Sequence, residues 1–187
     1  MPKPPYDPRA LANLLLDLAE RETPPVEVTN LALQKLLYFT HGHFLTRTGG
    51  PLVLGGFEAW QFGPVHPAVY EAFRPSGNRP ITTRAVGRNV MTGEGIPLAV
   101  PTDPEVRRYL LDVLRGYGKI SVGRLVTISH APKAPWAVIV NKAKTSVALG
   151  MRIPDNVIKD SFKHHKVVIG PPSHVGEPDE DAPFAGD

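Results

Sequence analysis

The chain's 187 residues suit one domain, large enough to bury a core without disulfides or metal, and its 42% hydrophobic content is ordinary for a globular protein. Cysteine is absent, which excludes disulfides, thiol nucleophiles and cysteine-ligated zinc together. The net charge of +3 hides an asymmetry: five of the 18 acidic residues (Glu177, Asp179, Glu180, Asp181 and Asp187) follow Gly170 with no Lys or Arg among them, so the body carries +8.

The opening MPKPPYDPR is proline-broken, and Asn13 and Asp17 interrupt the apolar stretch behind it, so no secretory signal is read there. Apolar runs such as 136–140 are far too short to span a bilayer, and a soluble, cytoplasmic protein is expected. Asp7 and Pro8 form a helix start, a carboxylate to accept from free amides and a proline where no donor is needed. Leu11, Leu14, Leu15 and Leu18 then make one apolar stripe, which Pro24 and Pro25 end. A second helix is predicted from near Thr29, with Leu33, Leu36, Leu37 and Phe44 on one face. Leu31, Tyr38 and Leu45 widen that face, so burial on more than one side follows, while Gly42 is read as weakening or bending the helix end.

Glycine pairs at 49–50 and 55–56 bracket a turn region, followed by an extended segment over 57–62 and a short helix opened by Pro67 and running through Phe73. In the extended segment, alternation places Glu58, Trp60 and Phe62 on one side and Ala59 and Gln61 on the other. Between Arg74 and Pro104 the pattern dissolves into Gly, Pro, Asn and Thr. Ile96, Leu98 and Val100 alternate there, but Pro97 restricts that strand to an edge, giving a small β-hairpin or ribbon. Asp103 and Pro104 repeat the first helix start, with Val106, Leu110, Val113, Leu114 and Tyr117 on one face and Gly116 and Gly118 as the stop. Shorter helices follow from Ser121, from Pro135 and over 153–162. The fold class is therefore mainly α (α+β), a compact helical domain over 1–170 with a small β element. Residues 171–187 read as an acidic, proline-rich tail that cannot bury enough apolar surface to order itself.

No catalytic or metal constellation is legible. His41 and His43 lie two apart on a helix and point to different faces, and His164 and His165 are adjacent. The serines lack a nucleophile elbow, and the doubled glycines lack the Lys-Ser or Lys-Thr of a phosphate loop. His130 is read as closing the preceding helix with its imidazole. Arg74, Arg79, Arg84 and Arg88 decorate the ribbon, where they suit phosphates, carboxylates of a protein partner, or solvent alone. No cofactor or metal is expected.

Three blocks carry a family resemblance: LQKLLYFTHG at 33–42, FEAWQFGPVHPAVYEAF at 57–73, and a third running from Tyr117 and Gly118 through Leu125 and His130 to Pro135 and Trp136. Together they make the chain resemble the Panacea-domain, SocA-like antitoxin family over roughly residues 8–165. The family's Ala-Trp-x-x-Gly-Pro-Val core falls at Ala59, Trp60, Gly63, Pro64 and Val65, and Ser129 stands where Thr precedes the family's histidine. The resemblance implies a non-enzymatic antitoxin whose partners are a cognate protein toxin and the AAA+ protease ClpXP, to which a proteolytic adaptor hands the toxin. The alternative reading is a nucleic-acid-binding accessory or autoregulatory protein using the basic ribbon. A third is an enzyme whose site assembles from His66, His130 and Glu58. For the toxin, the expected contact residues are Lys35, Tyr38, Trp60, Phe62, His66, Tyr70, Arg74 and Arg79, with Lys35, Tyr38, His66 and Tyr70 taken as exposed beside the core motif. Trp60 is expected to serve folding first, and Tyr38 and Tyr70 also suit core-edge positions with only their hydroxyls wet.

Overall fold

A computed structural model describes residues 3–143 and 151–163. The predicted acidic tail and the domain boundary at 170 lie outside the described residues. Seven helices stand among the described residues: α1 (Pro8–Arg21), α2 (Asn30–Thr48), α3 (Pro67–Phe73), α4 (Pro104–Tyr117), α5 (Val122–Ser129), α6 (Pro135–Ala143) and α7 (Asp155–Phe162). Strands β1 (Phe57–Trp60), β2 (Gly63–Val65) and β5 (Arg152–Ile153) form an antiparallel sheet in the order β2-β1-β5, and β3 (Val86–Arg88) pairs with β4 (Gly95–Pro97) as a separate hairpin. The protein is mainly α with a small β component.

The helix starts follow the chemistry of their caps. Asp7 accepts from the Arg9 amide before α1, Thr29 from Ala32 before α2, Asp103 from Glu105 before α4, and Ser121 from Arg124 before α5. Gly49, left-handed at φ 81°, closes α2 with its amide bonded to the Leu45 carbonyl.

α2 is the centre of the fold. Every residue from 30 to 42 is buried, and the helix packs against α1, α3, α4, α5, α7 and β2. A helix enclosed this way owes its stability to tertiary packing far more than to its own propensity. Gly42 lies within it and has a packing role. A Cβ there would lie 2.5 Å from the Phe162 ring, so the missing side chain lets α7 approach, and the helix continues to Thr48. Tyr38 meets Phe57 edge-on at 5.2 Å and Phe162 at 5.5 Å, while Phe39 lies 4.8 Å from Tyr117. His41 Nε2 and Asp155 Oδ1, 3.2 Å apart, add a polar clasp between α2 and α7.

Two further expectations shift. The extended segment ends at Trp60, and Gln61 and Phe62 form the two-residue turn between Trp60 and its register partner Gly63. Phe62 therefore leaves the alternation predicted for it. The last predicted helix begins at Asp155, because Arg152 and Ile153 pair with Glu58 and Phe57 as β5.

Candidate functional site

The site grows from polar side chains inside α2. Asn30, Gln34 and Lys35 are 1%, 0% and 0% exposed, and each reaches the segment that carries the Gly-Pro-Val motif. Asn30 Nδ2 donates to the Tyr70 carbonyl at 3.2 Å, Gln34 Oε1 accepts from the His66 amide at 2.9 Å, and Lys35 Nζ donates to the Pro64 carbonyl at 3.1 Å. Gln34 Nε2 donates to Asn30 Oδ1 at 3.1 Å, one turn back, which joins two of these straps. Buried backbone groups left without partners cost about 1–3 kcal/mol each, so these contacts fix the path of residues 63–70.

Gly63 sits where that segment touches Lys35. Its φ is +101°, and a Cβ would collide with Ser129 Oγ and stand 3.2 Å from Lys35 Nζ. The glycine is needed both for the backbone conformation and for the close approach. His66 Nε2 donates to the Leu54 carbonyl at 3.0 Å, and burial pushes the imidazole pKa down, partly opposed by that hydrogen bond. Its Nδ1 is buried without a hydrogen-bond partner.

Over this strapped segment lies a half-buried aromatic block. Trp60 Nε1 donates to Glu58 Oε2 at 2.9 Å, and the Trp60 ring meets Tyr70 edge-on at 4.8 Å. Trp136 Nε1 donates to the Trp60 carbonyl at 2.7 Å, and the His130 ring stacks on Trp136 at 3.7 Å. The Tyr70 carbonyl at one end and the Trp60 carbonyl at the other are thus both anchored, by α2 and α6. His130 ends α5 through its backbone amide, bonded to the Val126 carbonyl at 3.0 Å, while its ring lies against Trp136.

The expected contact residues separate into three groups. Lys35, Tyr38 and His66 are 0%, 2% and 5% exposed, which corrects the expectation that they stand on the surface. For Lys35 and Tyr38 the reason is that α2 has no solvent face along this stretch, and His66 is turned inward to the Leu54 carbonyl. Burial also raises the Tyr38 pKa well above the ordinary phenol value, as expected for a core phenol. Trp60, Phe62 and Tyr70 are half-buried and form the rim, and Arg74 and Arg79 are exposed.

The residues of the enzyme reading have other partners. Glu58 is bonded by Trp60 and His66 by Leu54, so in this fold each holds structure together. Among the described residues no three His, Cys, Asp or Glu gather where an ion could bind. The arginine ribbon is not a uniform basic strip, since Arg84 reaches Asp17 and Glu20, each at 2.7 Å, and Arg74 approaches Glu71 at 3.6 Å. A cleft of about 240 Å³ between α2 and α4, lined by His43, Arg47, Tyr109, Asp112, Val113 and Tyr117, shares no residue with the aromatic block.

Asn30 and Gln34 were not singled out by the sequence, although their signal is present. Each is a carboxamide set inside an otherwise apolar helical stretch, where burial obliges it to find a backbone partner.

No solved structure matches the chain significantly. Residues 33–137 match the family described as antitoxin SocA-like, Panacea domain. Antitoxin SocA of Caulobacter vibrioides (strain NA1000 / CB15N) is 47% identical over 177 residues, which cover 95% of this chain and 93% of that protein. The matched span holds the α2 straps from Gln34 onward, the Gly-Pro-Val turn and Trp136, and on this agreement the chain belongs to the SocA-like, Panacea-domain antitoxin family.

Proposed function

We propose that the chain is a non-enzymatic, cytoplasmic antitoxin that binds its cognate toxin directly and delivers it to ClpXP as a proteolytic adaptor. The observation that carries the antitoxin role is the 47% identity to antitoxin SocA across 95% of the chain. Direct contact is supported by the aromatic block, where Trp60, Phe62 and Tyr70 stay half-buried on a backbone fixed from beneath. Half-exposed aromatic rings on a rigid support lose little entropy on docking and are enriched at binding hot spots. Arg74 and Arg79, exposed at and beyond the end of α3, supply a basic rim for carboxylates.

Two measurements test the reading. The toxin encoded beside this chain's gene should co-purify with it, and ClpXP with ATP should degrade that toxin only when the chain is present. A tight complex that ClpXP leaves intact would remove the adaptor step and leave simple blocking. Absence of any complex would remove the antitoxin assignment itself.

A further inference from the structure

Five large apolar side chains stand exposed among the described residues, Leu54, Val86, Val90, Met91 and Ile96, and four of them belong to the β3–β4 hairpin. Val90 and Met91, at its tip, are 97% and 92% exposed. Concentrated apolar exposure of this kind marks an interaction surface.

The tip is held by its own hydrogen bonds. Asn89 Oδ1 accepts from the Met91 amide at 2.9 Å and the Thr92 amide at 3.3 Å. The Gly93 amide donates to the Asn89 carbonyl and the Asn89 amide to the Glu94 carbonyl, both at 2.8 Å. The root is anchored as firmly. Asn13, buried in α1, donates to the Ala85 carbonyl and accepts from the Ala85 amide, each at 2.8 Å, and Arg84 bridges to Asp17 and Glu20 of the same helix. An arm fixed at both ends presents its tip with little conformational entropy left to lose.

Charge decides between partners. Arg88, on β3, is exposed and makes no ion pair among the described residues, while Glu94 receives a hydrogen bond from Thr92 Oγ1 at 3.2 Å. A second copy of this chain carries a net charge of +3, which disfavours its approach to that arginine, whereas an acidic surface would attract it.

We infer that the β3–β4 hairpin is a preformed docking arm, whose Val90 and Met91 enter an apolar pocket on the cognate toxin while Arg88 meets carboxylates at the pocket rim. The inference rests on the antitoxin reading and adds a contact that shares no residue with the Trp60 block.

The test uses the full chain and the toxin encoded beside its gene, with affinity measured by calorimetry and mass by sedimentation. The double variant Val90→Ser, Met91→Ser should keep its melting temperature and bind the toxin about tenfold or more weakly, the scale of a lost hot spot. Arg88→Glu should weaken binding too, and should flatten its salt dependence. Wild-type affinity in the double variant, beside a wild-type chain that binds, overturns the arm and leaves the antitoxin reading intact. A wild-type chain that binds no toxin removes that reading, and the arm's assigned partner with it. Self-association lost in the double variant, with toxin affinity unchanged, would assign the tip to a second copy and overturn the inference.

Discussion

Helix α2 and the β3–β4 hairpin invert the usual distribution of polar and apolar side chains. In α2, Asn30, Gln34 and Lys35 are buried among leucines and aromatics, and their polar atoms reach backbone carbonyls, a backbone amide or one another. In the hairpin every residue from 90 to 97 is exposed, Val90 and Met91 included. Polar groups inside a core are tolerated only when satisfied, so those of α2 are fixed by folding. Apolar groups left in water contribute almost nothing to folding, so those of the hairpin are free to serve contact. The same residue type thus carries a different meaning in the two regions, and substitutions should separate them.

The largest effect should come where α2 meets α7. Phe162 is 6% exposed and packs over Gly42 and beside Tyr38. Phe162→Ala should lower unfolding free energy by about 3–5 kcal/mol, the range for an emptied aromatic site, measurable by urea denaturation. A loss under about 1 kcal/mol would mean that α7 is peripheral and that α2 is not enclosed on that side.

Gln34→Ala probes the straps. It removes the acceptor from the His66 amide and the donor to Asn30 Oδ1, both buried. A destabilisation of about 2–4 kcal/mol is expected, from one or two unsatisfied groups with lost packing. Amide exchange should accelerate over 63–70 more than in α1. Uniform acceleration would show that Gln34 supports the core as a whole and not this segment in particular.

Much of this arrangement was legible in the sequence, because caps are local. Asp7-Pro8, Asp103-Pro104 and Ser121 announce helix starts through chemistry within three residues, and each helix begins there. The apolar width of α2 announced burial on several sides. That reading already implied that Lys35, between Leu33 and Leu36, had little access to solvent, yet charge alone suggested a surface residue. The packing role of Gly42 was missed for a related reason: it depends on Phe162, distant in sequence, and no local rule announces such a partner. β5 is two residues long, too short for any alternation to show. The hairpin tip lies in a stretch of Gly, Pro, Asn and Thr without periodicity, so the exposure of Val90 and Met91 emerges only in three dimensions.

The pH dependence of stability sharpens the contrast, since the buried region titrates abnormally. Burial lowers the pKa of His66, and of His43 beside the α2–α4 cleft, below the ordinary histidine value. A base with a depressed folded pKa binds fewer protons folded than unfolded. Its stabilising contribution is full above the unfolded value of about 6.5 and is lost as pH falls from there toward the folded value. Stability should therefore decline between about pH 7 and pH 5, and His66→Gln, which can still reach the Leu54 carbonyl, should flatten that decline. At lower pH a second limb is expected from Asp155, whose carboxyl is held below the usual range chiefly by its hydrogen bond with His41. That contribution is present above about pH 3.9 and is lost as pH falls through the folded value, so Asp155→Asn should shrink the acid limb and leave the part due to Asp7, whose carboxyl is held low chiefly by its hydrogen bond with Arg9. An unchanged slope near pH 6 in His66→Gln would place the neutral-pH titration at His43 or elsewhere.

The smallest expected effect falls on the hairpin tip. Val90 and Met91 are almost fully exposed, so replacing both by serine removes little surface that folding had buried. The hydrogen bonds that shape the turn come from the Asn89 side chain and from backbone groups, which the substitutions leave in place. Unfolding free energy should change by less than about 0.5 kcal/mol, the ordinary range for surface positions. By contrast, Asn13→Ala at the root leaves the Ala85 amide and carbonyl buried without their partner, and should cost about 1–3 kcal/mol. If the tip variant proved as destabilising as the root variant, Val90 and Met91 would be packing within the monomer, and the separation between a core that folds and an arm that binds would fail at its clearest point.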